Sequence, residues 1–416
     1  MSVIAVADTF GGLVQGVFPA TLLLRTAMVG FLLAYVLLLP TLRQGIRILW
    51  VALVSYLLIR VLVDYFVSLD LQVLSLQIGA TFRLLYFPLL YTYLHCQIAR
   101  GRVGRSSVRR MLSLYGWLIL ASLVLGQLTG LGGVIAGRGT DIEGGKGFMT
   151  GANEVGLMLL LTAPFVGADM MRCMRSVWLG GLAQLVVYAL AGLYVFTKSS
   201  LIAVLSSAFS VYRAFIERGR CAKWLVRILV AGVSAYLLVL LLRNLDSIEA
   251  FALDTFFSAL LNDGMVAFLF RGRQDYLSAI YPQLVEHGLN WLFLLFGAGE
   301  FFIRELSVGP LMLDQGEGTT FEMDLFDLVG AYGVVGLVLF GAVVVTMLRK
   351  AGPYRIPLDI KIAILGVLVH AFMAGHVLFS PQVTTLIALV LLYFRIDGGR
   401  PGHSTLNGSK KFSHLI

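Results

Sequence analysis

The stretch Asp324-Leu-Phe-Asp-Leu-Val-Gly-Ala-Tyr-Gly-Val-Val-Gly-Leu-Val-Leu-Phe-Gly-Ala-Val-Val-Val-Thr-Met-Leu348 decides the fold class. After Asp327 no charge appears until Arg349. About 20 consecutive apolar residues are what a helix needs to cross the hydrocarbon of a bilayer, so this run reads as a membrane span. Ten more runs of the same kind occur, over 21–40, 48–66, 73–95, 112–136, 152–170, 176–196, 199–215, 225–242, 362–379 and 381–396. Each is continuous rather than alternating, which excludes a β-barrel. Lipid offers the backbone no hydrogen bonds, so each run must be helical. The expected fold is all-α, a polytopic membrane helix bundle of about 11 spans.

Composition agrees. Of 416 residues, 58% are apolar and 13% are charged, against roughly 25% charged in soluble chains. The mean hydropathy is +0.88. A soluble enzyme, a disordered chain and a disulfide scaffold are all excluded. The net charge of +9 does not point to nucleic acid, because it is concentrated in short loops between spans. Of the 32 Lys and Arg, 22 fall in six clusters, near 43–47, 100–110, 172–175, 213–227, 349–361 and 395–411. With the spans above, all six lie on one side, as the positive-inside rule requires. This places the C-terminal tail, 397–416, in the cytoplasm and the N-terminus outside. Cys96, Cys173 and Cys221 then sit near the cytoplasmic side, where thiols stay reduced. No basic region followed by a cleavage site opens the chain, so no removable signal peptide is expected.

The other cations carry more information. Arg25, Arg60, Arg83, Arg138, Lys146, Lys198, Arg243, Arg271, Arg273 and Arg304 lie within spans or on the outer side. An arginine at mid-membrane costs about 2.5–3.5 kcal/mol on insertion scales, so it usually has a partner or a task. For Arg60 the obvious partner is Asp64, one helical turn on.

Two outer loops stand out. One spans about 137–151, in a region with ten glycines between Gly126 and Gly151. Its Gly-Gly-Lys146-Gly is not a Walker motif, since no Ser or Thr follows the lysine. It leads into a helix starting near Asn153, so Arg138 and Lys146 read either as anion contacts at a helix N-terminus or as part of a plain capped loop. The other loop, 243–324, holds twelve acids and four arginines. Its segments 250–270 and 274–296 are apolar enough for amphipathic helices. The chain thus divides into an N-terminal transmembrane bundle, 1–242, a large external loop, 243–324, C-terminal transmembrane helices, 325–396, and the tail. No repeat relates the two halves, which counts against an inverted-repeat transporter.

Within the large loop, Arg271-Gly-Arg273 opens an amphipathic stretch. Two guanidiniums there suit a phosphate or pyrophosphate, which arginine binds bidentately; the alternative is pairing with Asp263 or Asp275. Lys198 lies in an external turn and reads as a site cation or as a solvated residue. Glu322, Asp324 and Asp327 read as a general base or cation site, or as acids favoured by the helix dipole. His370 and His376 are poorly spaced for a metal, and no Ser-His-Asp or Cys-His set can be assembled.

Four segments together resemble the O-antigen ligase-like family of bacterial membrane proteins, which includes Wzy-type polysaccharide polymerases and lipid A-core O-antigen ligases. They are Gly147-Phe-Met-Thr-Gly-Ala-Asn-Glu-Val-Gly156, Thr197-Lys-Ser-Ser200-Leu-Ile-Ala, Arg271-Gly-Arg273 through Gly297-Ala-Gly299, and Thr320-Phe-Glu322 through Gly333-Val-Val-Gly336. The likeness covers roughly residues 110–350. Where the family's turn usually carries arginine this chain has Ser200, with Lys198 as a substitute. Where the ligases usually carry histidine it has Glu322, which favours a polymerase.

The resemblance implies a GT-C-like glycosyltransferase of the bacterial inner membrane with its active site facing the periplasm. Its substrate would be an undecaprenyl-pyrophosphate-linked oligosaccharide, with no cofactor and no metal. Membrane lipids and a chain-length regulator protein would be partners. Arg138, Lys146, Lys198, Arg271, Arg273 and Arg304 would bind the pyrophosphate. Arg273 would also stabilise the developing charge, and Glu322 or Asp324 would act on the acceptor hydroxyl. The alternatives are an O-antigen ligase acting on a lipid A core, or a lipid-linked glycan transporter that uses Arg60 and Arg83 as substrate contacts.

Overall fold

The computed structural model describes residues 20–39, 44–137, 140–149, 151–174, 176–195, 197–216, 291–303, 323–349, 356–375 and 377–396, with isolated positions near 5–9 and at 282. Nearly all of them are helical. In chain order the elements are α1 (Ala20–Leu38), α2 (Gln44–Ser68), α3 (Leu71–Ala99), α4 (Arg105–Thr129), β1 (Gly133–Gly137), β2 (Thr140–Gly147), α5 (Ala152–Cys173), α6 (Val177–Val195), α7 (Lys198–Ile216), α8 (Trp291–Phe296), α9 (Asp324–Arg349), α10 (Leu358–Ala374) and α11 (Pro381–Arg395). Among the described residues, six helices are long and apolar enough to cross a membrane: α2 to α6 and α9. Shorter apolar helices lie within α1, α7 and α11. The chain is a multi-pass helical membrane protein. The span expected at 225–242 and the amphipathic helix expected at 250–270 lie outside the described residues, as does most of the one expected at 274–296.

One expected span is corrected. The run 112–136 does not stay helical to its end. Helix α4 stops at Thr129, and Gly130 follows in the left-handed region with φ 66°, the usual way a helix terminates. The chain then forms an antiparallel hairpin of β1 and β2 where a glycine-rich loop was expected. The all-α description therefore needs this one two-stranded exception.

Packing divides the chain into two compact units, and the division cuts across linear order. The first unit takes Met1–Thr21, Arg109–Gly272 and Ile356–His370; the second takes Leu22–Val108, Arg273–Arg355 and Ala371–Ile416. In the first, α5 packs on both α6 and α7, with Leu157 to Leu161 buried throughout. Glycines permit close crossings of α5: the Val166 and Thr162 side chains lie where a side chain at 116 of α4 would go, and the Gln184 amide of α6 lies where one at 167 would go. Small residues at helix crossings are the usual membrane solution, because lipid supplies no hydrophobic drive between helices. Two ion pairs close the basic end of this unit, Arg109 to Asp169 at 2.6 Å and Arg213 to Asp359 at 2.7 Å.

In the second unit α3 is the most enclosed of the three long spans and packs against α2 and α11, while α9 packs against α2 and α8. Basic helix ends gather together here. Arg100 at the end of α3 donates to the Tyr35 hydroxyl near the end of α1 at 2.9 Å. Arg395 at the end of α11 donates to Tyr91 Oη at 2.8 Å and to the Met347 carbonyl near the end of α9. These are ends that the charge count assigns to a single side of the membrane.

Candidate functional site

The site grows from a break in α9. Gly333 has φ 67° and ψ −178° inside an otherwise helical run, a combination open essentially to glycine alone. A break releases the carbonyls just before it from the helical ladder, and in lipid each released group must find a new donor. The structure supplies three. The Ala298 N–H donates to the Gly330 carbonyl at 2.7 Å, and the Gly299 N–H donates to the Ala331 carbonyl at 3.2 Å. The Tyr56 hydroxyl of α2 donates to the Tyr332 carbonyl at 2.6 Å and reaches the Phe296 carbonyl at 3.0 Å. A non-helical segment, Gly297-Ala-Gly299, is thereby stitched onto a spanning helix. A Cβ on Gly299 would lie 2.5 Å from Asp64 Oδ2 and 2.7 Å from Gln77 Nε2, so the bare glycine is what lets these side chains close in.

Beside this segment is a cavity of about 630 Å³. Its walls are the last turns of α2, the first turn of α3 and the chain from Gly297 to Phe302. This is the end of α2 opposite Arg47. Arg60 and Asp64 both line it and are hydrogen-bonded to one another, as their spacing predicts. Val63, Val67, Val73, Phe301 and Phe302 supply its apolar lining. Asp70 at the rim accepts from the Gln72 N–H at 2.7 Å, capping α3. Arg60 Nε, Asp64 Oδ2 and both amide atoms of Gln77 are buried and have no hydrogen-bond partner among the described residues. Behind them the Tyr332 hydroxyl meets Thr81 Oγ1 at 3.2 Å, within electrostatic range of Glu300, Asp64 and Arg60.

The residues expected from sequence fall as follows. Asp324 is buried at the start of α9, and its Oδ2 accepts from the Val377 and Leu378 N–H groups at 2.9 and 3.0 Å. It ties the turn before α11 to the mouth of α9. Asp327, also buried, lies one turn further in. Lys146 lies on β2, its aliphatic stem against Gly133. Lys198 is the first residue of α7. The structure brings these two lysine positions to the same end of the first unit: β2 contacts α5 and α6, the Tyr194 ring covers Gly145, and Ser199 Oγ reaches the Asn153 carbonyl at 3.5 Å. Arg138, Arg271, Arg273, Arg304 and Glu322 lie outside the described residues.

The turn carrying Lys198 has its own logic. The Ser200 N–H donates to Thr197 Oγ1 at 3.2 Å and the Thr197 N–H donates to Ser200 Oγ at 3.0 Å. This is a reciprocal capping box with serine in the return position. Ser200, which stands where the resembled family has arginine, is fully buried and spent on this cap.

Sequence reading missed Gln77, Glu300, Tyr56 and Tyr332 as neighbours of a site. A glutamine inside an apolar span was the available signal, because an amide in lipid needs a reason to be there. Comparison of the chain with protein families, with curated proteins and with solved structures finds no match.

Proposed function

We propose that the chain is a polysaccharide polymerase of the bacterial inner membrane, a GT-C-like bundle of about eleven spans. It joins undecaprenyl-pyrophosphate-linked oligosaccharide repeat units at the periplasmic face. One observation carries the reading. Gly297–Gly299 and the Gly330–Gly336 stretch come from two different segments of the family resemblance, and they hydrogen-bond to each other beside a cavity of ligand size. Of the two arginines that a transporter would use as substrate contacts, Arg60 is paired with Asp64.

In this reaction an acceptor sugar hydroxyl attacks the anomeric carbon of the donor. The new C–O bond forms as the bond to the pyrophosphate oxygen breaks, and undecaprenyl pyrophosphate departs. Arg138, Lys146, Lys198, Arg271, Arg273 and Arg304 hold the diphosphate and meet its developing charge in a prearranged site. The hydroxyl proton passes to a carboxylate. Of the two candidate acids Glu322 is favoured, because Asp324 already holds two backbone N–H groups.

Deleting the gene and sizing the surface glycan tests the reading. Single repeat units are expected. Unattached full-length polymer would mean a ligase, and an unchanged profile would end the proposal. With purified lipid-linked repeat unit, Glu322→Gln should bind donor but turn over roughly 10²–10⁴-fold more slowly, the usual contribution of a positioned base.

A further inference from the structure

The chain just past α3 presents cations in a fixed arrangement. Gly101 has φ 71°, its N–H donates to the Ile98 carbonyl at 2.9 Å, and the Arg102 N–H donates to the Gln97 carbonyl at 3.0 Å. This pair of bonds is a Schellman ending. It covers carbonyls that would otherwise repel an anion at a helix C-terminus, and it leaves Arg100 and Arg102 exposed. Arg100 donates to Tyr35 Oη at 2.9 Å, with its guanidinium carbon 5.8 Å from the centre of that ring. Gln97 Nε2 donates to the same oxygen at 3.3 Å, and Arg102 is within electrostatic range of it. A hydroxyl whose oxygen accepts twice still has its own proton to give, and no described residue takes the Tyr35 proton. Nor, among the described residues, does any acid pair with Arg100 or Arg102. The described acids of this unit, Asp64, Asp70, Glu300, Asp324 and Asp327, lie toward its other end. An anion arriving here meets two guanidiniums and an O–H donor, with no described carboxylate opposing it.

The surroundings of these donors say which anion. Tyr35, Tyr93 and Phe31 form an aromatic group, with ring centroids 5.0 to 6.3 Å apart. Phe31 lies one turn back along α1 from Tyr35, away from the basic end, and is 59% exposed. In a chain that spans a bilayer, an exposed ring just inside a group of cations faces acyl chains, while the cations meet headgroup phosphates. We propose that Arg100, Arg102 and the Tyr35 hydroxyl form a binding site for the phosphodiester of an anionic phospholipid, with an acyl chain lying over Phe31. A zwitterionic headgroup fits less well, because its ammonium is brought toward two guanidiniums. The site belongs to the leaflet on the basic side of the protein and does not depend on the polymerase reading.

The test is native mass spectrometry of the full chain, delipidated in detergent and titrated with dioleoyl phosphatidylglycerol. A first lipid should bind ahead of the others. Arg100→Gln should weaken that first step by about tenfold or more, the worth of a hydrogen bond to a charged group. Tyr35→Phe removes the O–H donor and should also weaken it. If Tyr35→Phe fails to fold, Phe31→Ala at its exposed position takes its place, and it too should weaken the first step. Arg110→Gln removes one exposed charge from the first unit and should leave the first step unchanged. Phosphatidylethanolamine with the same chains should bind about tenfold more weakly, for want of net negative charge. Glycerol 3-phosphate at equal concentration should not displace the lipid. Wild-type binding by Arg100→Gln would overturn the assignment. Equal losses in Arg100→Gln and Arg110→Gln would overturn it too, since diffuse charge would then hold the lipid. Equal affinity for the two lipids would remove the anionic specificity and with it the proposal. Displacement by glycerol 3-phosphate would make this a site for soluble phosphates and would end the lipid assignment.

Discussion

Replacing Gly333 with alanine tests whether the break in α9 is dictated by a single residue. The backbone there has φ 67° and ψ −178°, and holding a residue with a Cβ in that region costs about 1–3 kcal/mol. The new Cβ would also fall on the backbone of Leu295 and Phe296, which cannot swing aside as a side-chain tip can. If the segments part to relieve this, the Ala298 and Gly299 hydrogen bonds to Gly330 and Ala331 are lost, at about 0.5–1.5 kcal/mol each. The expected loss is about 2–6 kcal/mol. Gly341→Ala on the same helix is the control: nothing lies within 4 Å of its Cβ position, and alanine favours a helix by about 1 kcal/mol over glycine. Reversible unfolding of the two purified variants in mixed micelles, or steric trapping in bilayers, measures the difference. Equal stabilities would refute the argument, since the break would then owe nothing to the conformation of Gly333.

Thr197→Val should destabilise α7 by about 0.5–2 kcal/mol through loss of the cap, while Thr197→Ser should be near neutral; thermal melting separates them. Asp324→Ala removes a charged acceptor from two N–H groups and should cost about 3–6 kcal/mol, whereas Asp324→Asn, which keeps an acceptor, should cost less. If Asp324→Ala melts like wild type, the carboxylate does not anchor the turn before α11. Arg271→Ala and Arg273→Ala should each strongly lower polymerisation at normal expression, with only partial rescue by Lys, which lacks the planar fork; wild-type chain lengths in both would remove them from the site.

Spans were legible because lipid imposes one requirement, a long apolar run, and α2, α3, α5, α6 and α9 all meet it within a few residues of expectation. The Arg60–Asp64 pair was legible for a similar reason, since i,i+4 neighbours on a helix meet wherever that helix goes. The hairpin was not legible. Its glycines read as those of a loop, while in the fold Gly126, Gly132 and Gly147 serve close approach of backbone to backbone. The break at Gly333 was hidden too, because Gly-Val-Val-Gly within an apolar run is compatible with a straight span, and only the partner at Gly297–Gly299 makes a bend worthwhile. Gln77 and Glu300 escaped notice because their importance depends on a contact between α3 and a segment more than two hundred positions away in sequence.

That distance has a consequence for how the protein is made. Tyr56 is bonded to carbonyls 240 and 276 residues later in the chain. At ribosomal rates of about 5–20 residues per second, α2 leaves the ribosome roughly 15–50 seconds before its last partner has been synthesised. For most of that interval the buried Asp64 and Gln77 have no Gly299 beside them. The second unit must therefore wait in the bilayer half-assembled, exposed to insertases, chaperones and membrane proteases. Substitutions around Gly299 and Gly333 should accordingly show first as reduced cellular abundance, at doses too mild to alter the activity of the molecules that mature.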